Sequence, residues 1–183
     1  MRRWWVWIPP GLGLLLLSAG LFWAWHVQHL REGQFDGEIR LACEQYAVDP
    51  ALVKAVIWKE SRFNPLALGR AGEIGLMQIR ELAAVDWSTS QGVIGFKMGH
   101  LKDPKTNILA GTWYLARLLK RYRTADDPTP YALADYNSGR SNVRKWIKGD
   151  GADTNAAAFI RQIAFPSTRQ YVQAVMERRS HYR

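Results

Sequence analysis

One carboxyl group in this chain stands where it could do acid chemistry. Glu60 closes the segment AVIWKE, and the turn-rich stretch that follows runs from Ser61 to Ile79 and contains Gly75-Leu76-Met77-Gln78. Glu60 lies three residues after Ile57, four after Val56 and eight after Leu52. That spacing places it on the apolar face of a helix, away from Lys54 and Lys59. A carboxyl group there is partly desolvated, which disfavours its charged form and raises its pKa. In the last helical turn, the negative end of the helix dipole pushes the same way. Both effects keep the group protonated near neutral pH, as a general acid requires. The plainer alternative is a structural Glu paired with Arg62 or Arg70.

The elements that must position this group are helical. From Glu38 onward the apolar residues follow helical periodicity, and no run alternates as a strand does. Asp49-Pro50 starts the helix of Glu60, with a capping acid before a proline at the first helical position. Asn64-Pro65 marks where that helix has ended. Leu76 to Trp87 reads as the next helix and Ser88 to Gly99 as a connector. Asp103-Pro104 opens the longest helix, to about Tyr122. Its Ile108, Gly111, Leu115, Leu118 and Tyr122 share one side, and Gly111 would let another helix approach closely. Thr129 is the expected cap of a short helix, Tyr131 to Asn137, which ends at Ser138-Gly139. Ser141 caps a helix to about Lys148. Ala156 to Ala164 and Ser167 to Arg179 complete a set of seven or eight helices. The reading is a compact all-α domain.

The N-terminus is different in kind. From Trp4 to Val27 there is no Asp, Glu, Lys or Arg, while Arg2 and Arg3 precede the run and Arg31 follows it. Such a run is long enough for one transmembrane helix, which needs roughly 20 residues. Trp4, Trp5 and Trp7 at one end and Trp23 and Trp25 at the other suit the two headgroup levels. Residues 1–27 are therefore expected to be an anchor, 28–37 a polar tether and 38–183 the folded domain. A cleaved signal peptide competes, because Ser18-Ala19-Gly20 offers small residues, but apolar and aromatic residues follow before Trp25. Either way the bulk of the chain is exported.

The 183 residues include one cysteine, which excludes an intrachain disulfide and any cysteine-rich metal site. Cys43 suits a small buried position in a helix. The net charge of +9 would suit nucleic acid, anionic lipid or an acidic polymer. Export makes nucleic acid the weakest partner and a polyanionic wall polymer or a membrane surface the natural ones.

The stretch ESRFNPLALGRAGEIGLMQI resembles the signature of lytic transglycosylases of the soluble type, which have a goose-lysozyme-like fold. Three further blocks follow in the family's order. Asp103-Pro-Lys-Thr-Asn107 through Leu115 is similar to the second. Ala134-Asp135-Tyr136-Asn137-Ser138-Gly139 is similar to the third, and Thr168-Arg169-Gln-Tyr171-Val172 to the last. Together they cover nearly all of residues 36–183. The resemblance implies a lysozyme-like domain that cuts the β-1,4 bond between N-acetylmuramic acid and N-acetylglucosamine in peptidoglycan. Glu60 would protonate the glycosidic oxygen and then, as carboxylate, take the proton of the C6 hydroxyl as a 1,6-anhydro ring closes. No metal, cofactor or second carboxylate is required, unlike in most glycosidases.

Position by position, the resemblance makes Gln78 the glutamine beside the acid in the groove and Met77 a sugar-contacting neighbour. Tyr136 would orient the acid or the substrate, and Asn137 would hold an acetamido group or shape the site. Plainer roles are core filler for Met77 and a helix end for Asn137. With the anchor, the resemblance implies a single-pass enzyme of the bacterial inner membrane whose domain lies on the periplasmic side. Its partners would be glycan strands and cell-wall or secretion machinery.

The chain also departs from the family pattern. Gly69 stands where many members have Ser, so the role of that hydroxyl must be absent or filled by water. Glu73 replaces a small residue, and Asp135 and Ser138 each replace Ala. Arg80-Glu81-Leu82 replaces a proline-containing continuation. A second acid such as Asp86 or Asp135 would permit hydrolysis by a lysozyme-type muramidase instead, although pairing with Arg140 or Arg144 is the plainer account of Asp135. A glycan-binding protein that has lost turnover is the remaining reading.

Overall fold

Asp49 and Pro50 do begin the helix that carries Glu60. In the computed structural model, α3 spans Pro50–Ser61, and the Asp49 carboxylate accepts the Ala51 amide at 2.9 Å. The structure describes residues 10–149 and 151–183, except for the side chains of residues 10–12, 15 and 24–29. Val53, Ala55, Val56 and Ile57 of α3 have no solvent exposure, and each large aliphatic buried this way stabilises the fold by roughly 1.5–3 kcal/mol. The helix stops at Arg62 and Phe63, both with positive φ (53° and 61°).

The chain divides into two units between Gln34 and Phe35. In the first, α1 runs Pro10–Gly33 and exposes Leu14, Leu16, Leu17, Leu21, Phe22 and Trp23. No helix among the described residues is long and apolar enough to cross a membrane. The expected interfacial residues Trp4, Trp5 and Trp7 lie outside the described residues, as does the side chain of Trp25. The stretch expected to be a tether is largely helical: α1 continues through Arg31 to Gly33, and the next helix opens at Asp36. Between Gln28 and Glu32 no glycine or proline interrupts it.

In the second unit α2 is Asp36–Tyr46, α4 Glu81–Ser90, α5 Pro104–Arg121, α6 Thr129–Ser138, α7 Arg140–Trp146, α8 Ala156–Gln162 and α9 Pro166–His181. A short 3-10 turn, Met98–Lys102, precedes α5. Among the described residues there is no strand, only isolated bridges pairing Ile74 with Leu68 and with Ile79. Helix α5 packs against α2, α4 and α6, while α9 packs against α3 and α6. This arrangement brings the far C-terminal α9 beside the helix of Glu60.

Four local expectations are corrected. Helix α4 begins at Glu81, not Leu76, because Gly75 (φ 77°) and Gln78 (φ 47°) turn the chain so that Ile74 and Ile79 exchange backbone hydrogen bonds. Thr129 is the first residue of α6 and not its cap: Pro128 precedes the helix, and the Asp127 carboxylate accepts the Thr129 amide at 2.9 Å. Gly139, with φ 85°, rather than Ser141 precedes α7. The close approach at Gly111 comes from the Met77 side chain and not from a helix, since a Cβ on Gly111 would overlap the Met77 thioether.

Candidate active site

Two links hold the loop that follows α3, one to the end of that helix and one to α5. Ser61 Oγ donates to the Leu76 carbonyl at 2.8 Å. Asn107 of α5, fully buried, accepts the Met77 amide at 2.8 Å and donates to the carbonyls of Ile74 (2.8 Å) and Leu101 (2.9 Å). A buried amide with all these bonds made is a rigid strut, because losing any one would leave a polar group unpaired. Gly75 is required beside it, since its φ is positive and a Cβ there would overlap Asn107 Nδ2.

Glu60 is half-buried at the end of α3, in a cavity of about 670 Å³. Tyr171 of α9 donates its hydroxyl to Glu60 Oε1 at 2.6 Å. Desolvation pushes the Glu60 carboxyl up to about 7, and the negative charge of Glu73 adds to it. The Tyr171 hydrogen bond and the charges of Lys59 and Arg80 oppose the rise. The structural alternative of an ion pair with Arg62 does not hold, because that guanidinium lies over the Trp58 ring, 3.5 Å from its centroid.

Of the other residues expected at the site, Gln78, Tyr136 and Asn137 line this cavity with Glu60, and Met77 does not. The Gln78 amide is fixed by donating to the carbonyls of Ala67 (3.1 Å) and Gly75 (2.9 Å). Tyr136 donates to the Met77 carbonyl at 2.7 Å rather than to Glu60, and its ring centroid lies 5.5 Å from that of Tyr114. Burial, and then the Glu60 charge, keep the Tyr136 hydroxyl protonated far above its usual range. Asn137 is exposed, and its Oδ1 accepts from Thr168 Oγ1 at 2.9 Å. The Met77 side chain is wholly buried in the core against Gly111.

The two other acids at the cavity are each bound by an arginine. Asp135 is 2% exposed and bonds Arg121 at 2.5 Å and the Tyr122 hydroxyl at 2.7 Å. The expected partners Arg140 and Arg144 are not used, because α5 brings Arg121 across the buried face of α6. Glu73 is bound by Arg80 Nη2 at 2.6 Å. Asp86, also weighed as a second acid, pairs with Arg117 at 2.6 Å on the surface and does not line the cavity. Glu60 is thus the acid of this cavity with no cation bound to it, and its partner is a phenol.

Tyr171 went unassigned in the sequence although it sits in the recognised closing block. The signal was there, but a separation of 111 residues gives no local pattern to read. Among the described residues, no group of three or more His, Cys, Asp or Glu could hold a metal ion.

Comparison with known proteins bears on the family and the fold. The model of the Transglycosylase SLT domain family matches residues 38–159. The soluble lytic murein transglycosylase of Escherichia coli K12 is 28% identical over 183 residues, covering 100% of this chain and 27% of its own length. Membrane-bound lytic murein transglycosylase C of Klebsiella pneumoniae is 37% identical over 140 residues, 73% of this chain and 38% of its own. The chain therefore spans well under half the length of these curated relatives. Among solved structures, the 70 kDa soluble lytic transglycosylase of E. coli superposes with a TM-score of 0.74 at 29% identity, covering 81% of this chain and 24% of that one. An inactive glutamate-to-glutamine variant of lytic transglycosylase Slt from Pseudomonas aeruginosa superposes with a TM-score of 0.71 at 28% identity, covering 80% and 23%. The all-helical, lysozyme-like fold, the order of the sequence blocks and the match over residues 38–159 place this chain in the Transglycosylase SLT domain family.

Proposed function

We propose that this chain is a lytic transglycosylase that cuts peptidoglycan strands between N-acetylmuramic acid and N-acetylglucosamine and leaves 1,6-anhydromuramic ends. The observation that carries the reading is Glu60: a half-buried acid that lines a cavity of about 670 Å³ and is partnered by the Tyr171 hydroxyl at 2.6 Å, with burial pushing its carboxyl up to about 7. At neutral pH a large fraction of Glu60 is protonated and able to donate to the glycosidic oxygen as positive charge develops at the muramic C1. The carboxylate that results, still bonded by Tyr171, then accepts the proton of the C6 hydroxyl as its oxygen bonds C1. The proton count balances, and Glu60 returns to its starting state. The fixed Gln78 amide, Tyr136 and Asn137 supply polar contacts along the same wall. Asp135 and Glu73 are bound by arginines, which favours a single-carboxyl mechanism over hydrolysis by an acid–base pair.

Wild type and Glu60→Gln, compared for clearing of purified cell wall and for sedimentation with it, test this role. The amide keeps the shape and removes the titrating proton, so turnover should fall by at least ~10³-fold with binding retained. Turnover within tenfold of wild type would exclude Glu60 as the acid. Full retention of binding by a wild type without turnover would favour a glycan-binding protein instead.

For the N-terminus we propose a membrane anchor, with the enzyme held at the outer face of the bacterial inner membrane. What supports it is the run from Trp4 to Val27 without Asp, Glu, Lys or Arg, together with the exposed Leu, Phe and Trp side chains of α1. An apolar helix surface of this kind is unfavourable in water. The anchor would confine cutting to strands near the membrane, where cell-wall or secretion machinery also works.

A further inference from the structure

We propose that Glu73 is a positioning residue of this site: its carboxylate fills the space that Gly69 leaves open and acts across the cavity on the proton of Glu60. The inference rests on reading Glu60 as the acid, and on the placement of Glu60 and Glu73 in the lining of one cavity. The loop from Gly69 to Glu73 closes on itself, with the Gly69 amide bonded to the Glu73 carbonyl at 2.8 Å. Within it the Glu73 side chain turns back over Gly69. A Cβ on Gly69 would overlap Glu73 Oε2 and lie 2.8 Å from both Glu73 Cβ and Gln78 Oε1. A serine at 69 and this placement of Glu73 therefore exclude one another. The Glu73 carboxylate thus occupies the space that a side chain at 69 would need.

The Glu73 carboxylate is held at three points. Oε2 accepts the Ala71 amide at 2.9 Å, and Oε1 accepts Arg80 Nε at 2.9 Å and Nη2 at 2.6 Å. Against some desolvation, the bond to its own backbone amide and then those to Arg80 and Ala71 hold its carboxyl below the usual range, so its charge is present throughout the working pH. The charged and titratable groups that act on Glu60 are Tyr171 from α9, Lys59 from its own helix, and Glu73 and Arg80 from the loop. Tyr136 from α6 also feels the Glu60 charge. Glu73 is the group among them whose charge opposes ionisation of Glu60, and its effect exceeds that of its own partner Arg80. The side chain of Arg80 is 64% exposed and that of Glu73 15%. Water therefore screens the arginine more than the glutamate, and the pair keeps a net negative influence on the acid.

The test is the titration of Glu60 in the full chain, read both by 13C NMR of labelled glutamate carboxyls and by the basic limb of kcat/KM. Glu73→Gln keeps the shape and removes the charge, and it should move both readouts down by ~0.5 pH unit, the scale of a partly screened charge. Arg80→Gln removes the opposing charge and should move both up. Gly69→Ser displaces the carboxylate and should reproduce the downward shift, while Gly69→Ser with Glu73→Ala should fold as wild type does. Glu73→Gln with an unmoved titration, or opposite charge changes at 73 and 80 giving the same direction, would overturn the proposal. The NMR readout does not depend on the product. Failure here with anhydro ends still formed condemns Glu73 alone, whereas loss of the transglycosylase reading would show in the products and leave the titration to be judged separately.

Discussion

Replacing Tyr171 by Phe removes one oxygen and should change how Glu60 titrates more than how the domain folds. The hydroxyl donates to Glu60 Oε1 at 2.6 Å in a buried setting, and it opposes the desolvation that leaves the carboxyl pKa at about 7. A hydrogen bond to a charged acceptor is worth about 1.5–3 kcal/mol, and one to a neutral acceptor about 1 kcal/mol. The bond therefore favours the ionised form by roughly 0.5–2 kcal/mol, and 1.36 kcal/mol equals one pKa unit. Without it, Glu60 should titrate about one unit higher. Activity that requires the protonated acid is present below this pKa and lost as pH rises through it. The basic limb of kcat/KM should accordingly move from near 7 to about 8. The second half-reaction, in which the carboxylate accepts a proton, loses its orienting donor, so kcat should fall about tenfold or more. The assay is the pH profile of glycan-strand cleavage by both proteins, with melting curves to establish folding. A basic limb that stays put, or moves down, in a folded Tyr171→Phe variant would refute the role assigned to this hydroxyl.

Two further outcomes follow from other parts of the molecule. Asp135→Asn leaves Arg121 without its buried counter-charge, so unfolding by urea should show a loss on the order of 3 kcal/mol; the products should stay the same, and a reducing-end product that vanished in the variant would make Asp135 a general base. Fractionated cells expressing the full chain should retain it in carbonate-washed membranes, and a chain starting at Phe35 should not sediment; release of the full chain by the wash would contradict an anchor.

The sequence made the helices legible wherever a capped start coincided with an apolar face. Asp49-Pro50 and Asp103-Pro104 both open helices at Pro50 and Pro104. Legibility failed in the stretch Ile74 to Ile79, where Leu76 and Met77 look like the start of a helix but are buried from a turn. That turn exists because Asn107 and Gly75, 32 residues apart, fit one another, and no window of local sequence contains both. The site was legible in proportion to how local it is. The burial of Glu60 followed from spacing within α3, and so did the direction of its pKa. Its partner Tyr171 and the packing of Asp135 on Arg121 depend on which helices meet. The Gly69–Glu73 pair was visible only as two separate oddities, because a side chain folding back over a missing Cβ leaves no periodic trace.

In the proposed mechanism one carboxyl serves as acid and then as base, with the sugar's own C6 hydroxyl as nucleophile. Mass spectrometry of the ends released from purified peptidoglycan by the wild-type chain tests it most directly, with 18O-labelled water as solvent. The expected ends are 1,6-anhydromuramic and carry no label, with none released by Glu60→Gln. Reducing muramic ends bearing 18O would mean that water is the nucleophile, and would contradict it.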